Sequence, residues 1–169
     1  MVWKSLRGEF RRWFARRSKI SETAPSLAEM IGPEESFTRF IFSKKHFASN
    51  DGRVKAQALL PRFNEAKARF ETSVHRTDGL PDQTLWELGY AHVENASAGR
   101  IIKARGFGAI RVVREFGLDT DVNGPPFPRH VDLVGWSPSP DDKHSRLMCA
   151  MEIVDKMQLQ LDPRSRGDS

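Results

Sequence analysis

The first twenty residues alternate apolar and basic positions with the period of an amphipathic helix. With about 100° of rotation per residue, the large apolar side chains fall within an arc of about 120°. Basic side chains take up most of the remaining circumference. We therefore predict a helix over residues 1–20 whose apolar face is formed by Val2, Trp3, Leu6, Phe10, Trp13 and Phe14.

Beyond residue 35, short runs rich in aromatic and β-branched residues alternate with segments of helical spacing. The runs predict strands at 37–42, 54–60, 72–76, 118–122 and 130–136, with 101–105 as a further candidate. The helical spacing predicts helices at 81–93, 107–116 and 139–161, and Gly117 is in place to cap the second of them, with Leu118 as the accompanying hydrophobic contact. Residues 62–70 stay ambiguous, because the positions of their apolar residues also suit a helix. This order predicts an α+β fold, a single small domain of four or five short strands and about three helices.

The positive charge is concentrated at the start of the chain. Residues 1–19 carry seven cations and one acid, so their net charge of +6 exceeds the +5 of the whole protein. Residues 20–35 follow with four glutamates, two prolines and a glycine, a composition typical of a linker. We accordingly divide the chain into a basic amphipathic helix (1–20), an acidic linker (21–35), an α+β domain (36–162) and a flexible tail (163–169).

Three kinds of surface can cover the apolar face of the predicted helix, and the sequence leaves all three open. The first is a protein surface, either this domain or a partner or second copy, contacted through Trp3, Phe10 and Trp13. The second is an anionic membrane surface, and the third is a nucleic acid. For both anionic partners, the predicted binding residues of the helix are Lys4, Arg7, Arg11, Arg12 and Arg16.

Several functional classes lack their sequence signals. The single cysteine, Cys149, excludes an internal disulfide, so we expect a buried thiol and a cytoplasmic protein. No stretch approaches the roughly 18 apolar residues of a membrane-spanning helix. The five histidines are scattered without metal-ligand spacing, and the glycine patterns of nucleotide-binding loops are missing. We predict neither a metal nor a cofactor.

Residues Val74–Tyr90 (VHRTDGLPDQTLWELGY) hold the most specific pattern of the domain. They resemble the first conserved segment of pertussis-like ADP-ribosyltransferase toxins, in which a strand ends at an arginine and a short helix follows. The resemblance implies that Arg76 contacts a dinucleotide. It covers 17 of the 169 residues, and the Ser-Thr-Ser strand and Glu-x-Glu loop of that family have no counterpart after Arg76. The alternative is a strand whose arginine pairs with Asp78 or Asp82.

Basic side chains on or beside the predicted strands suggest a site for an anionic ligand. Within the domain, the predicted binding residues are Arg39, His46 and Lys55. Asp132 lies two residues after His130 on the same strand face, a spacing that suits a histidine acting as general acid. The first hypothesis is a small cytosolic binding or adaptor protein that engages an anionic partner through its basic helix. The alternative is a small enzyme acting on a phosphate-bearing nucleotide, with Arg76 and His130 as catalytic residues.

Overall fold

A seven-stranded sheet forms the centre of the domain. The computed structural model describes residues 31–122 and 129–167, which belong to one unit that starts at Ile31. The predicted basic helix and most of the predicted linker lie outside the described residues. The strands are β1 (Ser36–Ile41), β2 (Phe47–Ala48), β3 (Arg53–Val54), β4 (Arg62–Asn64), β5 (Arg69–Arg76), β6 (Ala104–Ala109), β7 (Asp119–Asp121), β8 (His130–Val134) and β9 (Gln158–Leu161).

The sheet has the order β7-β8-β5-β1-β6-β9, with β4 paired to β5, and β2 and β3 form a separate hairpin. All these pairings are antiparallel. Three α-helices accompany the strands: α1 (Asp82–Leu88), α2 (Ile110–Glu115) and α3 (Lys143–Val154). Helix α1 continues as π-helical turns over Gly89–Glu94. The α+β class and the three helices are confirmed, but the described residues contain nine strands where we predicted four or five.

The two faces of the sheet differ in chemistry because alternate side chains point to opposite sides. One face carries Phe37, Ile41, Val74, Val131 and Leu133, which pack with apolar residues of α2 and α3 to form the main core. The opposite face is largely polar. It is partly covered by α1, whose Trp86 forms a second, smaller cluster with Phe40 and Ile102. The polar face holds His75, His130 and Asp132, whereas Arg39 lies on the same face of β1 as Phe37 and Ile41.

One predicted strand and the bounds of two predicted helices are wrong. The predicted strand 54–60 ends at Val54, and Ala56–Ala58 form a 3-10 turn closed by a local bond from the Leu59 N–H to the Ala56 carbonyl. The predicted helix 107–116 begins only at Ile110, because residues 104–109 pair with β1 and residues 104–107 also pair with β9. The predicted helix 139–161 ends at Val154, after which β9 pairs with β6.

The predicted end of the second helix is confirmed. Gly117 has a φ of +78°, a left-handed conformation that glycine adopts without strain. Its N–H donates to the Arg114 carbonyl, and the Leu118 N–H donates to the Val113 carbonyl. Leu118 is buried in the main core, which supplies the hydrophobic contact that accompanies such a cap.

Gly89 provides a test of how α1 packs on the sheet. A Cβ atom at this position would lie 2.5 Å from Cε1 of Phe40, although the backbone of Gly89 is helical. Replacing a helical glycine by alanine ordinarily stabilises a helix by about 1 kcal/mol. Here we expect Gly89→Ala to lower the free energy of unfolding by about 1–3 kcal/mol, because the Phe40 ring must move. Denaturant unfolding measures the effect.

The double variant with Phe40→Leu is the control. The smaller side chain makes room for the new methyl group, so Gly89→Ala should cost less in that background. An equal cost in both backgrounds would show that the close approach of Gly89 to Phe40 is not what limits this position.

Candidate functional site

Arg39 occupies the place where β1 and β5 separate. Strand β1 pairs with β6 along its whole length, but with β5 only at Phe37 and Thr38. At the next residue the Arg39 side chain bridges the opening. Its Nη1 donates to the Ser73 carbonyl at 2.7 Å, and its Nε donates to the Ala58 carbonyl at 3.1 Å. The guanidinium therefore joins β1, β5 and the 56–58 turn.

The surroundings of Arg39 are positively charged. Burial, together with the neighbouring charges of Arg62 and Arg100, lowers the pKa of Arg39 to about 10. Burial also lowers the pKa of His46, as do the charges of Arg39 and Arg62. Among the described residues, Arg39 has no carboxylate within ion-pair distance. Its charge is thus held in the fold by carbonyl dipoles alone, against the repulsion of nearby cations.

Exposed cations surround this position. The 3-10 turn Lys44–His46 leads into the β2–β3 hairpin, where Phe47 and Val54 are buried and paired. Because neighbouring side chains on a strand alternate, Arg53 and the flanking residues project away from that buried pair. The Lys55 N–H donates to the His46 carbonyl, which closes the end of the hairpin. We define the basic surface as Arg39, Lys44, Lys45, His46, Arg53, Lys55 and Arg62.

Acidic residues are rare in the segment that carries the basic surface. Asp51 is the one acidic residue in the sequence between positions 39 and 62. In the described part of the chain, the ion pairs lie elsewhere and neutralise Lys67, Arg69, Arg76, Arg105, Arg114 and Arg164. The cations of the basic surface are therefore close together in the sequence and form no ion pair among the described residues.

A second feature is a cavity of about 610 Å³ at the sheet end where β5 finishes and β8 begins. We call it the sheet-end cavity. Arg76 Nε and Nη2 donate to the same Glu35 carboxylate oxygen at 2.9 and 2.5 Å. The pairing of Arg76 with Asp78 or Asp82, one of the two alternatives in the sequence, is not found. The lining residues are Glu35, Arg76, Asp78, Val122, Arg129 and His130.

Two carboxylates of this cavity interact with each other. Burial and the charge of Glu35 raise the pKa of Asp78, although the Ser36 N–H donates to it. Burial also opposes ionisation of Glu35, but hydrogen bonds from the Gly32 N–H and from Arg76 hold its pKa below the ordinary value. The environments thus push the two pKa values apart, so that Asp78 is the carboxylate that protonates first.

The predicted pairing of His130 with Asp132 is present, with Nε2 at 3.4 Å from Oδ1. Asp132 is buried, and it also accepts from Ser73 Oγ at 3.3 Å and from Lys67 Nζ at 3.2 Å. His130 lies opposite His75 in the β5–β8 ladder, and the two rings are 5.8 Å apart between centroids. These groups form a continuous polar row across β5 and β8.

The structure sorts the predicted site residues into two groups. Arg39, His46 and Lys55 belong to the basic surface, whereas Arg76 and His130 line the sheet-end cavity. The predicted binding residues Lys4, Arg7, Arg11, Arg12 and Arg16 lie outside the described residues. Sequence reasoning missed Glu35 and Arg129, since nothing in the local pattern places either beside Arg76. It also did not include Lys44 and Lys45 among the predicted binding residues, although both directly precede His46 in the sequence.

Within residues 31–122 and 129–167, no group of three His, Cys, Asp or Glu is arranged to hold a metal ion. Helices of sufficient length and apolarity to cross a membrane are also missing from this part of the chain. No protein-family model matches the chain, and neither a curated protein nor a solved structure matches it. The resemblance to the ADP-ribosyltransferase toxins thus rests on Val74–Tyr90 alone, where a strand ending at Arg76 is indeed followed by a helix.

His75 generates a prediction about acid stability. Burial lowers the pKa of His75 to about 3, and the charges of His130, Arg39 and His92 act in the same direction. Below pH 6.5 the unfolded chain binds a proton at this position that the folded chain does not bind, so stability falls as the pH falls towards 3. In His75→Phe this contribution is absent. As the pH falls from 6.5 to 4, we expect the free energy of unfolding of the wild type to decrease relative to that of the variant. The decrease should be up to about 1.4 kcal/mol per pH unit.

Denaturant unfolding of both proteins at half-unit pH steps measures this difference. A difference that is constant with pH would mean that His75 titrates alike in the folded and unfolded chain.

Proposed function

We propose that this protein binds single-stranded nucleic acid through the basic surface centred on Arg39. The observation that carries the proposal is a set of cations, the basic surface, of which none forms an ion pair among the described residues, whereas six cations elsewhere in the domain do. Nucleic-acid backbones are bound mainly by lysine and arginine contacts to phosphates.

Arg39 supports the proposal most strongly. A half-buried guanidinium close to other cations is destabilised by desolvation and by repulsion. A phosphate bound beside it supplies the opposite charge and accepts charge-assisted hydrogen bonds. The charges of Arg39 and Arg62 also act on His46, so one bound phosphate can offset the repulsion among all three side chains.

An exposed aromatic residue favours a single strand over a duplex. Phe63 follows Arg62 on β4 and is 50% exposed, and its ring packs edge-on against Phe70 at 5.1 Å. Proteins that bind single strands combine a basic track with aromatic rings on which bases stack. Phe63 offers such a ring on β4, the strand that also carries Arg62.

The distribution of exposed apolar side chains disfavours a membrane as the partner of the described domain. Interfacial binding requires a group of apolar side chains that enter the lipid together. The exposed large apolar residues of the described part are Phe63, Ile101, Val122 and Met151, which are far apart in the sequence. Only Phe63 adjoins the basic surface.

The predicted N-terminal helix extends this proposal. Its seven cations give residues 1–20 a higher charge density than the basic surface itself. We propose that the helix adds phosphate contacts and that the protein acts as a cytoplasmic adaptor for nucleic acid. The division into helix, linker, domain and tail, and the cytoplasmic location, stay predictions.

The first experiment removes three exposed cations from the basic surface. We expect Lys44→Gln, Lys45→Gln and Lys55→Gln together to weaken binding of a fluorescent single-stranded oligonucleotide. Because each phosphate contact to a single strand contributes about −0.7 to the slope of log K against log salt, the slope should become less negative by about 2. Fluorescence anisotropy between 50 and 300 mM salt measures both quantities.

The matched control removes three exposed and unpaired cations elsewhere: Arg111→Gln, Lys143→Gln and Lys156→Gln. It changes net charge equally and should leave the slope near the wild-type value. Equal slopes for both triple variants would contradict the proposal, as would binding to phosphatidylserine vesicles without binding to the oligonucleotide. A clear preference for duplex over single strand would overturn the role of Phe63.

A further inference from the structure

We propose that the sheet-end cavity binds the phosphate group of a nucleotide-sized molecule, and that Glu35 competes with this phosphate for Arg76. The proposal concerns a second site and does not rest on the basic surface. The alternative hypothesis from the sequence is an enzyme that acts on a phosphate-bearing nucleotide. Such an enzyme requires a phosphate-binding step, and the proposed site would supply it.

The cavity has the dimensions and the lining of a small-molecule site. Its volume of about 610 Å³ lies within the usual range of about 300–1,000 Å³ for ligand pockets. Among the described residues, two arginines line it: Arg76 at the end of β5 and Arg129 just before β8. Such a set can surround a phosphate with hydrogen-bond donors from two neighbouring strands.

The backbone holds the two arginines together. The Arg76 N–H donates to the Arg129 carbonyl at 2.9 Å, and Arg129 Nη1 donates to the Asp78 carbonyl at 2.7 Å. Arg129 has a φ of +61°, a left-handed conformation that costs a non-glycine residue on the order of 1 kcal/mol. Strained residues of this kind often occur at ligand sites, where the fold fixes a side chain in a required position.

Glu35 engages Arg76 through the atoms that a phosphate would use. Nε and Nη2 form one edge of the guanidinium fork, and this edge binds carboxylates and phosphates in similar ways. The Glu35 carboxylate is therefore an intramolecular counterpart of the proposed ligand. A phosphate must displace it, or share Arg76 with it, in order to bind.

The contact between Glu35 and Asp78 makes this displacement easier. Like charges in contact are unfavourable, and the raised pKa of Asp78 is one consequence. When Glu35 leaves Arg76, the repulsion between the two carboxylates falls.

The test compares two Glu→Gln variants of the full chain. Glu94→Gln is the matched control, because Glu94 also binds an arginine (Arg164) and accepts a backbone N–H, from Ile102, at a distant position. We expect Glu35→Gln to tighten the binding of inorganic pyrophosphate and of ADP by about tenfold in calorimetry. Glu94→Gln should leave both affinities at the wild-type value. Arg76→Gln should abolish binding in either background.

A titration of the wild-type protein keeps the proposal testable if a variant fails to fold. Pyrophosphate should shift the side-chain NMR resonances of Arg76, Arg129 and His130, and leave those of Arg39 and His46 unchanged. Equal affinities for Glu35→Gln and Glu94→Gln, or adenosine binding as tightly as ADP, would overturn the proposal. Shifts at Arg39 and His46 alone would place phosphate on the basic surface instead, which would contradict this inference and leave the proposed function standing.

Discussion

A guanidinium bound only by backbone carbonyls links the fold of this domain to its proposed function. Arg39 lies where the central strand β1 parts from β5, and its bonds to the Ser73 and Ala58 carbonyls replace the missing ladder. The same side chain belongs to the basic surface. Removing its hydrogen bonds would leave two carbonyls unsatisfied, and its charge has no carboxylate partner among the described residues. One residue thus joins strands of the fold and carries part of the proposed function.

Comparison with the other buried arginines shows what is unusual about Arg39. Arg146 also donates to carbonyls, those of Ser137, Ser139 and Pro140, but its guanidinium lies over the Phe70 ring at 3.9 Å, which stabilises a cation. Arg105, 2% exposed, donates to the Asp82 carboxylate and to Gln160. Each of these charges is compensated within the domain. The charge of Arg39 instead faces other cations, and this difference singles out the basic surface.

The sequence predicted those parts of the fold that local chemistry determines. Aromatic and β-branched runs identified β1 and β8, and Gly117 identified the end of α2, because each signal lies within a few neighbouring residues. The errors arose where distant strands decide the conformation. Phe107 follows the spacing of the helix but belongs to β6, since Gly106 and Gly108 let that strand pack closely against Val54, Met157 and Phe37. In the same way, Leu159 and Leu161 continue a helical pattern but pair with β6.

The candidate sites were predictable to a similar extent. Arg76 and His130 were identified one at a time, from a strand end and a histidine–carboxylate spacing, and only the pairing of β5 with β8 brings them into one cavity. Glu35 lies 41 residues from Arg76 and was assigned to a linker, so no local signal indicated their ion pair. The basic surface likewise depends on Arg39 and the 44–62 segment meeting in space. Residue types could be read from the sequence, whereas their convergence depends on topology.

The most direct test of this account observes the guanidinium of Arg39 itself. In a ¹⁵N-edited NMR spectrum of arginine side chains, the Nε–H signals of Arg39 and Arg146 are followed while a single-stranded oligonucleotide is added. Both side chains are held by carbonyls, so Arg146 is the internal reference. The account predicts that the Arg39 signal moves saturably while the Arg146 signal stays in place. Saturable binding of the oligonucleotide with an unmoved Arg39 signal would contradict it.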